Sequence, residues 1–311
     1  MSWRRPLRWA IILTTVMLLM IALSFPFLAV NEPSGARTAV VEGWIPEDLM
    51  PAVKRVLVEH GYDRIYTTGT PRNCSHTFRL HDTLDIEMPE PVQGGLVLNA
   101  CGASGAGFKV IADTTVILEH KVAGVCIDHR AEIRTPARRI RITPTFDGIA
   151  KPEWELLFTL FVKFEGRNIN ALQRSVVMHK AEGTTDPGLP TYADVAAHAL
   201  IKAGVPRDGV TSLPSYVVGE SRTVSNARRF ADDAKSHNIN QVDVISLGVH
   251  ARRSRLAYRE ACGDAVTVGI VSVDDPELKR GRWWLSLIGW YKVVKELIGV
   301  PATYLIDETK R

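Results

Sequence analysis

An alternation of strand and helix patterns begins at Thr38, breaks off after Gly69 and resumes only near Thr191. This break most constrains the fold. Thr38 to Val41 is a short β-branched run ending at Glu42-Gly43-Trp44. Pro46 to His60 places Leu49, Val53, Val56 and Leu57 on one helical face, with Gly61 as a C-cap. Arg64 to Thr68 reads as a second strand, closed by Gly69. After the break come helices over Tyr192–Ala203, Thr223–Ser236 and Arg252–Cys262, interleaved with strands over Val210–Val217, Val242–Leu247 and Ala265–Val271. Such alternation predicts right-handed crossovers and an α/β fold, a three-layer parallel sheet covered on both faces.

Residues 72 to 185 have another texture. Leu96-Val97-Leu98, Phe108-Lys109-Val110, Val116-Ile117-Leu118, Ile140-Arg141-Ile142, Phe158 to Phe164 and Ser175-Val176-Val177 are short strand candidates between glycine-rich turns. The pattern predicts an inserted β-sandwich (jelly-roll) domain. The expected organisation is 1–30 stub and anchor, 31–71 first part of the α/β domain, 72–185 insertion and 186–311 second part.

Trp9 to Val30 holds 22 residues without a charge, preceded by Arg4, Arg5 and Arg8. A helix of that length crosses the ~30 Å hydrocarbon layer. The basic flank predicts a cytoplasmic N-terminus, one transmembrane helix and an exported body. A cleaved signal peptide is the competing reading, and it also exports the body. Export permits pairing among Cys74, Cys101, Cys126 and Cys262, with the partners left open. The net charge is +4 and the three leading arginines supply most of it. A nearly neutral body argues against nonspecific nucleic-acid binding.

In a parallel sheet, ligands bind at the carboxyl ends of the strands. Glu42, Gly43 and Trp44 end the first strand, and Thr68 and Gly69 end the second. Glu220, Ser221, Thr223 and Asn226 open a helix, whose free N–H groups suit a polar or anionic group; capping alone is the plainer reading. Gly248, His250 and Arg253 follow the next strand. Glu42, Glu220 and His250 are the candidate acid–base groups, and Arg253 a candidate seat for negative charge. No H-E-x-x-H, G-x-S-x-G or Walker sequence is present, and the histidines show no metal-ligand spacing. The terminal stretch Trp283–Ile306 reads as a helix packed on the sheet, or as an interfacial helix with Trp283, Trp284 and Trp290 at lipid headgroups.

Val41-Glu42-Gly43, Thr68-Gly69, Gly204-Val205-Pro206, Glu220-x-x-Thr223-x-x-Asn226 and His250-x-x-Arg253 occur in one order. In that order they resemble the YdcF-like group, which includes the SanA and ElyC envelope proteins. The resemblance covers Thr38–Gly69 and about Thr191–Ile306. It implies a Rossmann-like fold, a pocket built from those residues, an N-terminal membrane anchor and a role in envelope biogenesis. It also makes S-adenosylmethionine a candidate ligand. Within the insertion, Phe146-Asp147-Gly148, Arg167-Asn168-Ile169-Asn170 and Ser175-Val176-Val177 are similar to calcium-dependent xylan-binding modules. That likeness implies binding of cell-wall polysaccharide through Arg167 and Asn168, with calcium as a cofactor; Trp154 and Phe158 are candidates for a sugar-stacking platform, with a place in the core as the plainer reading. The sequence thus yields two expectations: a membrane-anchored envelope protein with a strand-end pocket, or a non-catalytic carbohydrate-binding protein.

Overall fold

The structure is a computed structural model describing residues 4–73, 75–148, 155–172, 175–216 and 221–308. The chain forms two compact units, one of residues 1–70 with 193–311 and one of residues 71–192. In chain order the elements are α1 (Arg4–Leu28), β1 (Thr38–Glu42), α2 (Met50–Glu59) and β2 (Arg64–Gly69), then the strands of the second unit. These are β3 (His76–Arg79), β4 (Thr83–Gly102), β5 (Ala106–Ala112), β6 (Thr115–Lys121), β7 (Ile127–Phe146), β8 (Leu156–Phe164), β9 (Arg167–Asn168), β10 (Ser175–His179) and β11 (Thr185–Pro187). There follow α3 (Tyr192–Lys202), β12 (Val210–Pro214), α4 (Arg222–Ser236), β13 (Gln241–Leu247), α5 (Ala251–Cys262), β14 (Thr267–Val273) and α6 (Leu287–Glu308).

In the first unit, five strands lie in the order β12-β2-β1-β13-β14, every neighbouring pair parallel. The chain moves outward from β1 through β2 to β12, then crosses back to β13 on the other side of β1. The order therefore reverses between β1 and β13. Side-chain alternation splits the core into two layers. Val40, Tyr66, Val244 and Ile270 pack with Phe230 of α4 and Tyr258 of α5. Ala39, Val41, Ile65, Ile245 and Val271 pack with Val53 and Leu57 of α2 and Leu200 of α3. Helices thus cover both faces, as parallel strands buried on both sides require. Gly61 ends α2 with φ +70°, the left-handed conformation expected of a C-cap glycine.

α1 covers most of the uncharged stretch, and its end packs through Phe25 and Leu28 with Val293 and Val300 of α6. Among the described residues no helix is long and apolar enough to cross a membrane.

The nine strands of the second unit form one connected antiparallel sheet. β4 and β7 are each 20 residues long and pair with each other at both ends, so they join what the sequence suggests are separate halves. The ladder slips between Glu87 and Gly94, where Pro89 and Pro91 cannot donate backbone hydrogen bonds. Phe78, Leu84, Leu98, Phe108, Ile140 and Leu160 fill the core. Phe158 stacks on Phe78 at 4.7 Å between centroids and is fully buried, so it is a core residue and not a sugar platform. Cys101 and Cys126 form a disulfide. The register explains the pairing: Ala100 opposes Ile127, which leaves the two cysteines next to each other at the end of the ladder. Cys262 is free, and burial pushes its thiol up to about 11.

Candidate functional site

The site lies where the strand order reverses, at the carboxyl ends of β1 and β13. Alternation puts Glu42 on the same sheet face as Val40, under α5, where an apolar side chain would be expected. Glu42 is fully buried. Its Oε2 accepts hydrogen bonds from Ser246 of β13 and from Ser254 of α5, the latter at 2.8 Å. Thr68, opposite Glu42 in the register, pairs its hydroxyl with the Tyr258 hydroxyl at 2.8 Å. Burial and the nearby Glu42 charge push the Tyr258 hydroxyl well above its ordinary range, so it stays neutral. The Gly43 amide donates to the Thr68 carbonyl at 2.7 Å, which fixes the turn that carries Trp44.

β13 ends in a turn over Gly248–His250 that leads directly into α5. Gly248 has φ +50°, and a Cβ there would meet the Asp275 side chain at 3.0 Å. The turn presents His250 edge-on to Trp44, with ring centroids 4.6 Å apart. Nδ1 of His250 lies 3.1 Å from Oε1 of Glu296, a residue of α6. The Arg253 guanidinium joins the pair: Nε lies 2.8 Å from Glu296 Oε2, and Nη2 lies 3.3 Å from Oε1 and 3.0 Å from His250 Nδ1. Burial pushes the Glu296 carboxyl up. The hydrogen bond from His250 and the charges of His250, Arg253 and Lys295 outweigh it, so its pKa lies below the ordinary value.

Nδ1 faces an acceptor, Glu296, and a donor, Arg253; together they orient the ring and turn Nε2 toward Glu42. Nε2 faces Glu42 Oε1 across 4.0 Å, too far for a direct hydrogen bond. Both atoms are buried and without a hydrogen-bond partner among the described residues, as is Nε1 of Trp44, whose ring meets His250. Buried polar atoms are nearly always paired, so this cluster invites a bridging group. Two carboxylates, one guanidinium and one imidazole leave no surplus of positive charge. Arg253 is directed at Glu296 and His250, so the expected seat for an anion on Arg253 is occupied by protein groups.

The structure brings Glu42, Gly43, Trp44, Thr68, Gly248, His250 and Arg253 to one edge of the sheet. Thr223 and Asn226 are buried in the first two turns of α4, while Ser221 is an exposed N-cap that makes no side-chain capping bond. The Gly69 carbonyl accepts from the Ser215 amide. Glu220 and Trp154 lie outside the described residues. Four contributors escape the sequence reading: Ser246, Ser254, Tyr258 and Glu296. A signal for Glu296 exists in retrospect. It shares a helical face with Val293 and Val300, which makes it a lone acid on an otherwise apolar stripe.

In the second unit, Arg167 is exposed and Asn168 is engaged internally. The Asn168 amide donates to the Arg72 carbonyl at 2.9 Å and to Asn73 Oδ1 at 3.1 Å, and its own oxygen accepts from the Asn170 amide. Asp147 forms an ion pair with Lys121. Among the described residues no group of three or more His, Cys, Asp or Glu is placed to hold a metal ion.

Fold and site together define an α/β protein with a buried carboxylate–imidazole cluster at the point of strand-order reversal, and with an antiparallel β unit between β2 and α3. No protein-family model matches the chain, and no curated protein matches it.

Proposed function

We propose that this chain is a membrane-anchored, exported protein of the YdcF-like type that binds a small polar molecule at its strand-end site and serves envelope biogenesis. The carrying observation is the 4.0 Å gap between Glu42 Oε1 and His250 Nε2, two buried atoms without hydrogen-bond partners among the described residues. A ligand hydroxyl in that gap donates its one proton either to Glu42 Oε1 or to His250 Nε2, and an amine, with a second proton, can donate to both. The charge balance favours a neutral, hydroxyl-bearing portion there over an anionic one. The strand order, third-second-first-fourth-fifth among the parallel strands, supports a Rossmann-like reading, because doubly wound folds bind ligands at this reversal. The uncharged run from Trp9 to Val30 behind three arginines supports the anchor, and the Cys101–Cys126 disulfide supports an oxidising compartment.

The test is thermal unfolding of the detergent-solubilised chain with S-adenosylmethionine or a uridine-diphosphate sugar as probe. A shift in the wild type that disappears in Glu42→Gln and in His250→Ala, with circular dichroism unchanged, is the expected result. An equal shift in both variants refutes the site. Retention on xylan or peptidoglycan with no response to either probe favours the carbohydrate-binding alternative.

A further inference from the structure

α6 has two faces. Val293, Glu296 and Val300 are buried and face the first unit's body. Opposite them, Leu287, Tyr291, Val294 and Ile298 recur at intervals of four, three and four residues, and all four are exposed, Leu287 at 88 % and Tyr291 at 68 %. A helix resting on a protein surface in water carries polar groups along its outermost stripe; between Leu287 and Ile298 this one has only the Tyr291 hydroxyl and the exposed Lys295 on that side. The turn before it adds exposed Trp284 and Leu285. Trp283, Trp284 and Trp290 form an edge-to-face cluster with centroids 5.0 and 6.0 Å apart. Lys279, Arg280 and Arg282 are exposed immediately upstream. α1, which packs on α6, exposes Leu13, Val16 to Met20 and Leu23 in turn.

The geometry points to a lipid surface as the partner of α6. We infer that the helix lies flat in the headgroup layer of an anionic membrane beside α1, its outer stripe sunk about 5–10 Å and the exposed Trp284 and Trp290 at the boundary, while Trp283, expected there from the sequence, is buried in the core. The basic cluster matches anionic headgroups, and the apolar surface is continuous with that of α1. The inference rests on the anchor proposed above. One consequence concerns the site: Glu296 sits on the inner face of the same helix, so the His250–Arg253–Glu296 group lies about one helix diameter, ~10 Å, from the lipid.

The experiment uses the full chain in vesicles of phosphatidylglycerol and phosphatidylethanolamine, in a Cys74→Ser, Cys262→Ser background. An environment-sensitive fluorophore is placed at Ile288→Cys, Tyr291→Cys, Leu19→Cys on α1 or Val58→Cys on α2. A lipid carrying a spin-label quencher near the headgroup end of its acyl chain should cost positions 288 and 291 about half of their emission and leave position 58 unchanged. Quenching at 19 without quenching at 288 and 291 overturns the inference and leaves the anchor standing. Quenching at none of the three overturns the inference. Quenching at 288 and 291 supports the α6 inference whatever position 19 shows, because Leu19 lies midway along the uncharged run and deeper than the quencher. The unlabelled chain supplies a second readout: brominated lipid should quench its tryptophan emission, less so once Trp284 and Trp290 are both Phe.

Discussion

Replacing Glu296 by Ala tests whether the carboxylate–imidazole–guanidinium group holds the site together. The Glu296 side chain is 5 % exposed, those of His250 and Arg253 11 % and 20 %. Its removal strands a guanidinium and an imidazole that face no other acid within hydrogen-bonding reach among the described residues. Breaking a buried pair by deleting one partner costs about 3–5 kcal/mol, and the partial exposure of Arg253 lets water offset some of that, so about 3 kcal/mol is expected. For a unit of this size that lowers Tm by about 6–12 °C. Glu296→Gln keeps the shape and an acceptor for Arg253, and should cost about 1–1.5 kcal/mol. The assay is urea and thermal unfolding followed by circular dichroism, extended to Glu296→Ala combined with Arg253→Met. A coupling energy of about 1–3 kcal/mol is expected from that cycle. The pH dependence has a definite sign. The folded pKa of Glu296 is depressed below the ordinary 4.5, so its stabilisation is complete above that value and is lost as pH falls through the folded pKa. Glu296→Gln should lack this acid loss. A Glu296→Ala protein within about 0.5 kcal/mol of wild type, with no coupling to Arg253, would refute the reasoning.

In the second unit, reduction of Cys101–Cys126, which closes a 25-residue separation, should destabilise by about 3.5 kcal/mol on the chain-entropy estimate. Urea unfolding with and without reductant measures it, and an unchanged midpoint counts against a structural role. Asp85 of β4 receives Arg139 and Arg141, with His179 Nε2 at 3.2 Å. Burial pushes its carboxyl up, but the hydrogen bonds and charges of Arg141 and Arg139 prevail and hold it at about 2 against an ordinary 3.8. Its stabilisation is therefore full above pH 3.8 and lost as pH falls toward 2. Acid titration of Asp85→Asn should lack that limb, and an identical acid profile in the variant would show that the cluster contributes nothing.

Local patterns along the chain were enough to place the helices and parallel strands of the first unit, but not the two 20-residue strands of the second. The apolar run at Val242–Leu247 reads directly as β13, and the spacing of Val53 and Leu57 as the inner face of α2, because periodicity records which side of an element meets the core. Glu42, His250 and Arg253 were legible as strand-end residues for the same reason. Tertiary structure alone decided the rest. Strand order, which no local pattern encodes, set the reversal between β1 and β13 and so brought Glu42 opposite His250. Ser246 reads as a flaw in an apolar strand until α5 settles over it and turns its hydroxyl to Glu42. Glu296 reads as one charge in an apolar stretch until α6 packs against α5 and buries it beside a guanidinium and an imidazole. The single sheet of the second unit likewise depends on β4 pairing with β7 along both halves, which sequence texture does not reveal. Periodicity is a property of neighbours in the chain. A buried charge cluster is a property of partners that meet only after the layers close, when desolvation makes each polar group depend on the others.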